Sequence, residues 1–368
     1  MAGLLGMAGL LAGAAAPARS PAAPERLAGP ALPASSEAAT FLPAGIADAA
    51  GSVACLRTPE GGVESVDLVT GRGLWRSPPP SRALLIDGER AFVLEERPGR
   101  RLAIAAYAAR SGKAAASWTV ALDLPAWASL AEPGDGRSWS RFEVYALGSP
   151  GFLEVEYQAR QFRASGIAPQ QTAGEATGVL RLDLASGRVE HRLGARLPRP
   201  DLMVPAPPGA RFQRVHARPA DATVALGGPP PDVEGVLVAG DLRLGFARTA
   251  DGRAVSVARW SAASGELQPP LVIPAEADAI WATLDRRHVA LRRVRDQRLV
   301  DVHSLATGER LATLERPVDI AVLGGRILWT AYAGNDELRL VAIEPGPGLA
   351  RWTRTVWRAP PTSGQLVP

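Results

Sequence analysis

A short turn pattern recurs through the middle of this chain, and it restricts the possible folds more than any other feature. An alternating apolar run, a Ser or Thr, a Gly and a second run follow one another six times. VDLVTG ends at Gly71, YAARSG at Gly112, LDLASG at Gly187, WSAASG at Gly265, HSLATG at Gly308 and VAIEPG at Gly346. Thr70, Ser111, Ser186, Ser264 and Thr307 precede five of these glycines, and Pro345 precedes the sixth. Glycine takes the positive-φ position that closes a short hairpin loop without a Cβ penalty. The hydroxyl before it can bond a nearby backbone group. The flanking runs alternate as half-buried strands do. A preceding strand is readable at 91–95, 153–157, 242–247, 288–292 and 326–332, and Gly88 and Gly325 mark the turns before two of these.

The six glycines stand 41, 75, 78, 43 and 38 residues apart. Three of these intervals match the roughly 40 to 45 residues of a four-stranded propeller blade. The two wide ones hold either an insertion or a blade that has lost its signature. In the first, 162–178 and 125–138 read as polar loops, which favours insertion. In the second, 212–217 and 223–226 read as strands of a degenerate blade. The expectation is therefore an all-β propeller over residues 46–358, with seven blades preferred in a range of six to eight. The 368-residue length fits this class, because each repeat adds its own piece of core. So do the 38 Gly and 33 Pro, which suit short strands and tight turns.

Residues 4–16 form an apolar Ala/Leu/Gly run followed by Ala16-Pro17-Ala18, a small-x-small cleavage pattern. Residues 1–18 thus read as a signal peptide or, uncleaved, as an anchor. No Lys or Arg precedes Arg19, which departs from the usual n-region. Residues 19–45 have the Pro/Ala/Ser composition of a linker, and 359–368 that of a tail. The net charge is +4 with a pI near 9.8, because Lys113 is the only lysine and Arg supplies the rest. These arginines are scattered among acids, which argues against a nucleic-acid interface. Cys55 is the one cysteine, so no intrachain disulfide or Cys-based zinc site can form.

Val66-Asp67-Leu68-Val69-Thr70-Gly71, with Trp75 four residues on, resembles the PQQ-like (quinoprotein-type) propeller repeat. Leu182 to Gly187 matches next, with His191 at the Trp position, while Trp118 and Trp352 fall six residues after their glycines. The resemblance implies that Trp75, Trp118 and Trp352 dock between adjacent blades, burying roughly 150–250 Å² each. It also implies a bacterial envelope setting, since the family includes a periplasmic propeller that scaffolds outer-membrane protein assembly. Its quinone-dependent enzymes need a tryptophan platform, calcium ligands and often a vicinal cysteine pair. With one Cys and one Asn (Asn335), this chain is not expected to bind that cofactor or a metal.

Other chemistry is sparse. His191, His216, His288 and His303 show no metal-ligand spacing, and no Gly-x-Ser-x-Gly elbow or phosphate loop occurs. Glu95-Glu96 and Glu154/Glu156 are carboxylate pairs; Glu154 and Glu156, two apart on one strand face, are read as an exposed face in preference to an acid/base pair. Arg286, Arg287, Arg292, Arg293 and Arg295 form the one basic cluster, a solvated hairpin or a patch for an acidic partner. The expected role is a monomeric, non-catalytic periplasmic or secreted binding module. It would engage an envelope protein or acidic ligand through rim loops, foremost 162–178 and 198–235. A channel-sited enzyme and the ectodomain of an anchored sensor remain open as alternatives.

Overall fold

The computed structural model describes residues 37–358 apart from 39, 123, 133–137, 164–170, 198–211, 215–234, 240–241, 262–263, 265, 284–286, 335 and 345–350. The expected leader and tail, Arg286, His216, Gly265 and Gly346 lie outside the described residues.

The described chain is a β-propeller of six antiparallel sheets, strung in sequence order except for two short strands. The first blade holds β2 (Thr40–Leu42), β3 (Gly45–Ala47), β4 (Val53–Arg57), β5 (Val63–Asp67) and β6 (Gly73–Ser77). The second holds β7 (Ser81–Asp87), β8 (Arg90–Arg97), β9 (Arg101–Ala108) and β10 (Ala114–Val120). The third holds β11 (Ser138–Ser149), β12 (Phe152–Arg163), β13 (Gln171–Asp183) and β14 (Val189–Leu193), with β1 (Glu37–Ala38) on the inner edge of β11. The fourth is β16 (Gly235–Ala239), β17 (Leu242–Arg248), β18 (Val255–Ser261) and β19 (Leu267–Ile273). The fifth is β20 (Ala277–Thr283), β21 (His288–Arg293), β22 (Leu299–Ser304) and β23 (Arg310–Glu315), with β15 (Phe212–Arg214) on β20. The sixth is β24 (Pro317–Leu323), β25 (Arg326–Ala333), β26 (Glu337–Ile343) and β27 (Arg351–Arg358). Among the described residues there is no helix, and therefore none long and apolar enough to cross a membrane.

The described turn signatures, at Gly71, Gly112, Gly187 and Gly308, join the third and fourth principal strands of one blade each. In the first blade Gly71 N–H donates to Asp67 O (2.8 Å), and the same bond recurs from Gly112, Gly187 and Gly308. Those four glycines have φ between 68° and 77°, the left-handed region. The hydroxyl before each accepts the N–H two residues on, as in Arg188 N to Ser186 Oγ (3.2 Å). Asp67 Oδ1 also accepts from Val69 N and Thr70 N, and Asp183 Oδ1 from Ala185 N and Ser186 N. The Asp of the repeat is therefore a turn cap, satisfying two N–H groups that the loop leaves open.

Three findings change the segment boundaries. Strands begin at Glu37, inside the stretch that reads as a linker. In the segment 162–178, expected to be a loop, the described residues 162–163 and 171–178 belong to β12 and β13, which pair from Phe152↔Asp183 to Arg163↔Gln171. Its polar residues alternate on a hairpin that outruns the sheet, since β14 pairs only with residues 178–182 of β13. Finally, 212–214 is an inner strand of the fifth blade, and 223–226 lies outside the described residues.

Blade junctions carry the core. One cluster runs through the first three blades, including Phe92, Trp118 and Tyr157, and others join blades four to five, five to six and six to one. Full burial of one such large apolar side chain stabilises by roughly 1.5–3 kcal/mol. The ring closes by packing, with no strand shared between the last and first blades. Trp352 of β27 lies on the turn of the first blade and donates Nε1–H to Leu68 O (3.0 Å). Trp75 of β6 does the same on the second blade, bonding Ala109 O (2.7 Å) and lying 5.0 Å from the Tyr107 ring. Trp118 is fully buried, but its Nε1 has no protein partner.

Candidate functional site

The inner strands of the first, second, third and sixth blades enclose a cavity of about 740 Å³ at the channel. Three blades meet there at one carboxylate. Glu132, from the loop between the second and third blades, accepts from Arg57 Nη2 (2.7 Å) and Phe142 N (3.0 Å). Arg82 Nη2 stands 3.0 Å from Oε1, the oxygen that also accepts from Phe142 N. Arg82 also donates to Leu130 O (2.8 Å) and Ser81 O (3.0 Å), so it is almost fully satisfied behind the cavity wall. Glu132 has φ 51°, which a non-glycine residue holds only where its surroundings over-determine it. Burial pushes its carboxyl up, but Arg82, Arg57 and the Phe142 N–H outweigh this and hold it below the usual range. Burial, and Arg57 nearby, in turn lower the pKa of Arg82.

The third blade supplies a second buried carboxylate. Glu156 is 3% exposed and takes Arg196 Nη1 (2.9 Å) and Leu197 N (2.8 Å). The reading of Glu154 and Glu156 as an exposed strand face is corrected by this burial; Glu154 is half-buried and pairs with Arg192 at 3.5 Å. Glu95 is buried as well, accepting from Ser77 Oγ (2.9 Å) and Tyr107, and Glu96 takes Ser129 Oγ and Leu130 N. The strand β11 carries Trp139, Arg141 and Glu143 along the cavity wall, with Trp139 stacked on Phe162 at 5.6 Å and Arg141 paired to Glu143 at 2.9 Å. The sixth blade adds Asp319, Tyr332 and Trp357 on the opposite side. Cys55 also borders the cavity, but it is fully buried, and burial raises its thiol to about 12 despite the Ser65 hydrogen bond.

The basic cluster lies elsewhere, on the fifth blade. Arg292 bonds Asp278 (2.8 Å), Arg293 grips Asp301 through two nitrogens (2.7 and 2.8 Å), and Arg295 pairs with Glu276 (3.2 Å). Arg287 is exposed. The structure thus couples Arg292, Arg293 and Arg295 to acids and leaves them apart from the channel. His191, at the tryptophan position of the third blade, instead bonds Tyr157 Oη (2.8 Å), and burial lowers its pKa. Among the described residues no cluster of three or more His, Cys, Asp or Glu could hold a metal.

Arg57, Arg82, Glu132 and Trp139 gave no signal in the sequence. The first two sit at strand ends, the third in an aperiodic loop, and only ring formation brings them together. The single hint was that 125–138 interrupts the repeat.

No family matches this sequence, and no curated protein matches it. Solved structures align over most of the chain. BamB from Moraxella catarrhalis shares 14% identity over 84% of this chain and 75% of its own, with a TM-score of 0.22. The uncharacterized protein lmo1340 from Listeria monocytogenes EGD-e shares 8% over 85% and 93%, with a TM-score of 0.34. Dihydro-heme d1 dehydrogenase NirN in complex with DHE shares 12% over 82% and 65%, with a TM-score of 0.25. At scores this low the propeller assignment rests on the strand order of this chain itself.

Proposed function

We propose that this protein is a non-catalytic binding propeller of the bacterial cell envelope, exported by residues 1–18, which engages a protein or small ligand at the channel mouth. The extension of β11, β12 and β13 beyond the strands of the other blades carries the proposal. It turns the inner edge of the third blade into one wall of a cavity of about 740 Å³. A rigid frame with one enlarged, polar-rimmed mouth is the arrangement in which binding loops are held in register. The carboxylates there support binding over acid/base chemistry, because Glu132 and Glu156 are each held by arginine and backbone N–H groups. The PQQ-like turn motif and the apolar run at 4–16 favour the envelope setting.

The test is fractionation of cells expressing the tagged full chain, combined with photo-crosslinking from position 141 at the mouth and position 298 on the far hairpin. The proposal expects a mature chain cleaved near Ala18, in the periplasm, with crosslinks from position 141 alone. An intact chain in the cytosol would remove the envelope assignment. Crosslinks equal at both positions, or none at 141, would remove the mouth as the binding surface.

A further inference from the structure

One face of the sixth blade meets the channel mouth with two aromatic rings and a carboxylate that no described residue pairs with. Tyr332, Leu338 and Trp357 lie side by side across β25, β26 and β27, in register Tyr332↔Leu338 and Leu338↔Trp357. On β24, Asp319 pairs with Thr330, so it stands diagonally to Tyr332 on the same face. All four border the mouth cavity of about 740 Å³. Tyr332 is 57% exposed, and Trp357 and Asp319 are half-buried.

Two register shifts produce this face. Side chains alternate along a strand, and Trp352 and Arg354 of β27 point to the first blade, where they bond Leu68 O and Gly71 O. A regular strand would therefore turn Trp357 away. The shift between Leu338 and Arg339 makes Val356 an extra residue, so Val356 and Trp357 both border the cavity. In the first, second and fifth blades the corresponding shift comes directly after the signature turn. In the sixth it lies at the far end of the ladder, at the mouth. A second shift, at Val318, likewise brings Val318 and Asp319 together onto the lining.

Neighbouring strands stand about 4.8 Å apart, which sets Tyr332 and Trp357 about 10 Å apart with Leu338 as the floor between them. A cation midway would lie about 5 Å from each ring, inside the roughly 6 Å range of a cation–π contact. Asp319 has no hydrogen bond or ion pair among the described residues. The cations on the lining are engaged, Arg57 and Arg82 with Glu132 and Arg141 with Glu143. The face thus offers negative charge beside two π-systems over an apolar floor. A hard metal ion would find one carboxylate where it needs several oxygen ligands. A methylated ammonium needs none, and its methyl groups suit Leu338 and Val318.

We infer that this face binds a trimethylammonium group, held between Tyr332 and Trp357 with Asp319 as its counter-charge. The inference rests on the channel mouth being the binding surface and names the ligand class taken there. The probes are choline and 3,3-dimethyl-1-butanol, its uncharged isostere with carbon in place of the quaternary nitrogen. Calorimetry on the full-length chain should give saturable choline binding, with the alcohol about 10-fold weaker. Asp319→Asn should weaken choline and leave the alcohol unchanged. Tyr332→Phe should keep choline binding, and Tyr332→Ala should weaken it roughly 2- to 30-fold, the worth of one cation–π contact. Trp357→Leu gives a second reading of the cage should Tyr332→Ala lose its fold. No choline binding to the wild type, equal affinity for the two probes, or choline binding unchanged in folded Asp319→Asn would overturn the inference. Crosslinks from position 141, on the third-blade wall, in a protein that ignores choline would refute the cation site and leave the mouth as a binding surface; loss of both would remove the mouth itself. Flotation with phosphatidylcholine vesicles separates the sources of the group: co-flotation that free choline reverses assigns a lipid headgroup, and choline binding without flotation assigns a soluble ligand.

Discussion

Ring closure can be tested through a single methyl group. Gly71→Ala adds a Cβ at φ 70° to a turn on which Trp352 rests. The left-handed backbone costs an L-residue about 1–2 kcal/mol. The new Cβ also falls 2.7 Å from the Trp352 Cβ and closer still to the ring, so the indole must move. Its displacement breaks the Nε1–H bond to Leu68 O (3.0 Å), worth about 1 kcal/mol, and overpacking adds roughly 1–3 kcal/mol. The expected loss is about 3–6 kcal/mol. Gly325→Ala is the control, with φ 74° and nothing within 4 Å of the added Cβ, so it pays only the backbone strain of about 1–2 kcal/mol. Urea denaturation followed by tryptophan fluorescence reads both. In a Trp352→Ala background Gly71→Ala should fall to the cost of the control, because the collision has gone. If Gly71→Ala and Gly325→Ala cost the same in the wild-type background, the indole does not bear on the turn and the closure described above is wrong.

Glu132→Gln should destabilise the protein at pH 7 by about 2–4 kcal/mol, less than a fully buried pair because Arg57 is partly solvated. The Glu132 carboxyl is held below its unfolded value, so its contribution is complete above about pH 4.3 and is lost as the pH falls through the depressed folded value. The gap between wild type and variant should therefore close in acid, and urea midpoints that differ equally at pH 7 and pH 2.5 would refute it. Cys55, buried with its thiol raised to about 12, should resist an aromatic disulfide reagent until the protein unfolds. Stoichiometric labelling of the native protein within minutes would contradict that burial.

The blade signature was legible because its causes are local. A glycine at positive φ, a hydroxyl before it and an apolar alternation on both sides are all set within ten residues, and the four described signature glycines, Gly71, Gly112, Gly187 and Gly308, each fall at the turn between the third and fourth principal strands of a blade. The interval of 75 residues holds one blade and an insertion, as expected, but 162–178 reads as a loop because β12 and β13 run past the sheet. There one face packs on the core through Ala159 and Ala176, while the other carries Gln158, Arg160 and Glu175 in extended backbone, Gln158 bonded to Glu175. The cavity itself had no local signature. Arg57, Arg82 and Glu132 lie 75 and 50 residues apart in sequence, and their contact depends on three blades taking their places around the axis.

A ring built of similar units has no reason to differ from one junction to the next, so departures from the common junction mark where packing has given way to something else. Two junctions use tryptophan over glycine with the indole N–H bonded to the carbonyl three residues before that glycine, Ala109 O and Leu68 O. The fourth-to-fifth junction uses Leu271, and an unpaired histidine nitrogen and an open volume accompany the change. The third blade departs in another way: His191 turns to Tyr157 within its own sheet, while the same sheet lengthens over the channel mouth. Both departures cost stability in the isolated protein, since an unpaired acceptor, an unfilled slot and a glutamate held at positive φ are each unfavourable. Stability alone would shorten the hairpin. Its length, and the glutamate held at positive φ beneath it, are accounted for if the channel mouth is occupied when the protein works, as proposed above.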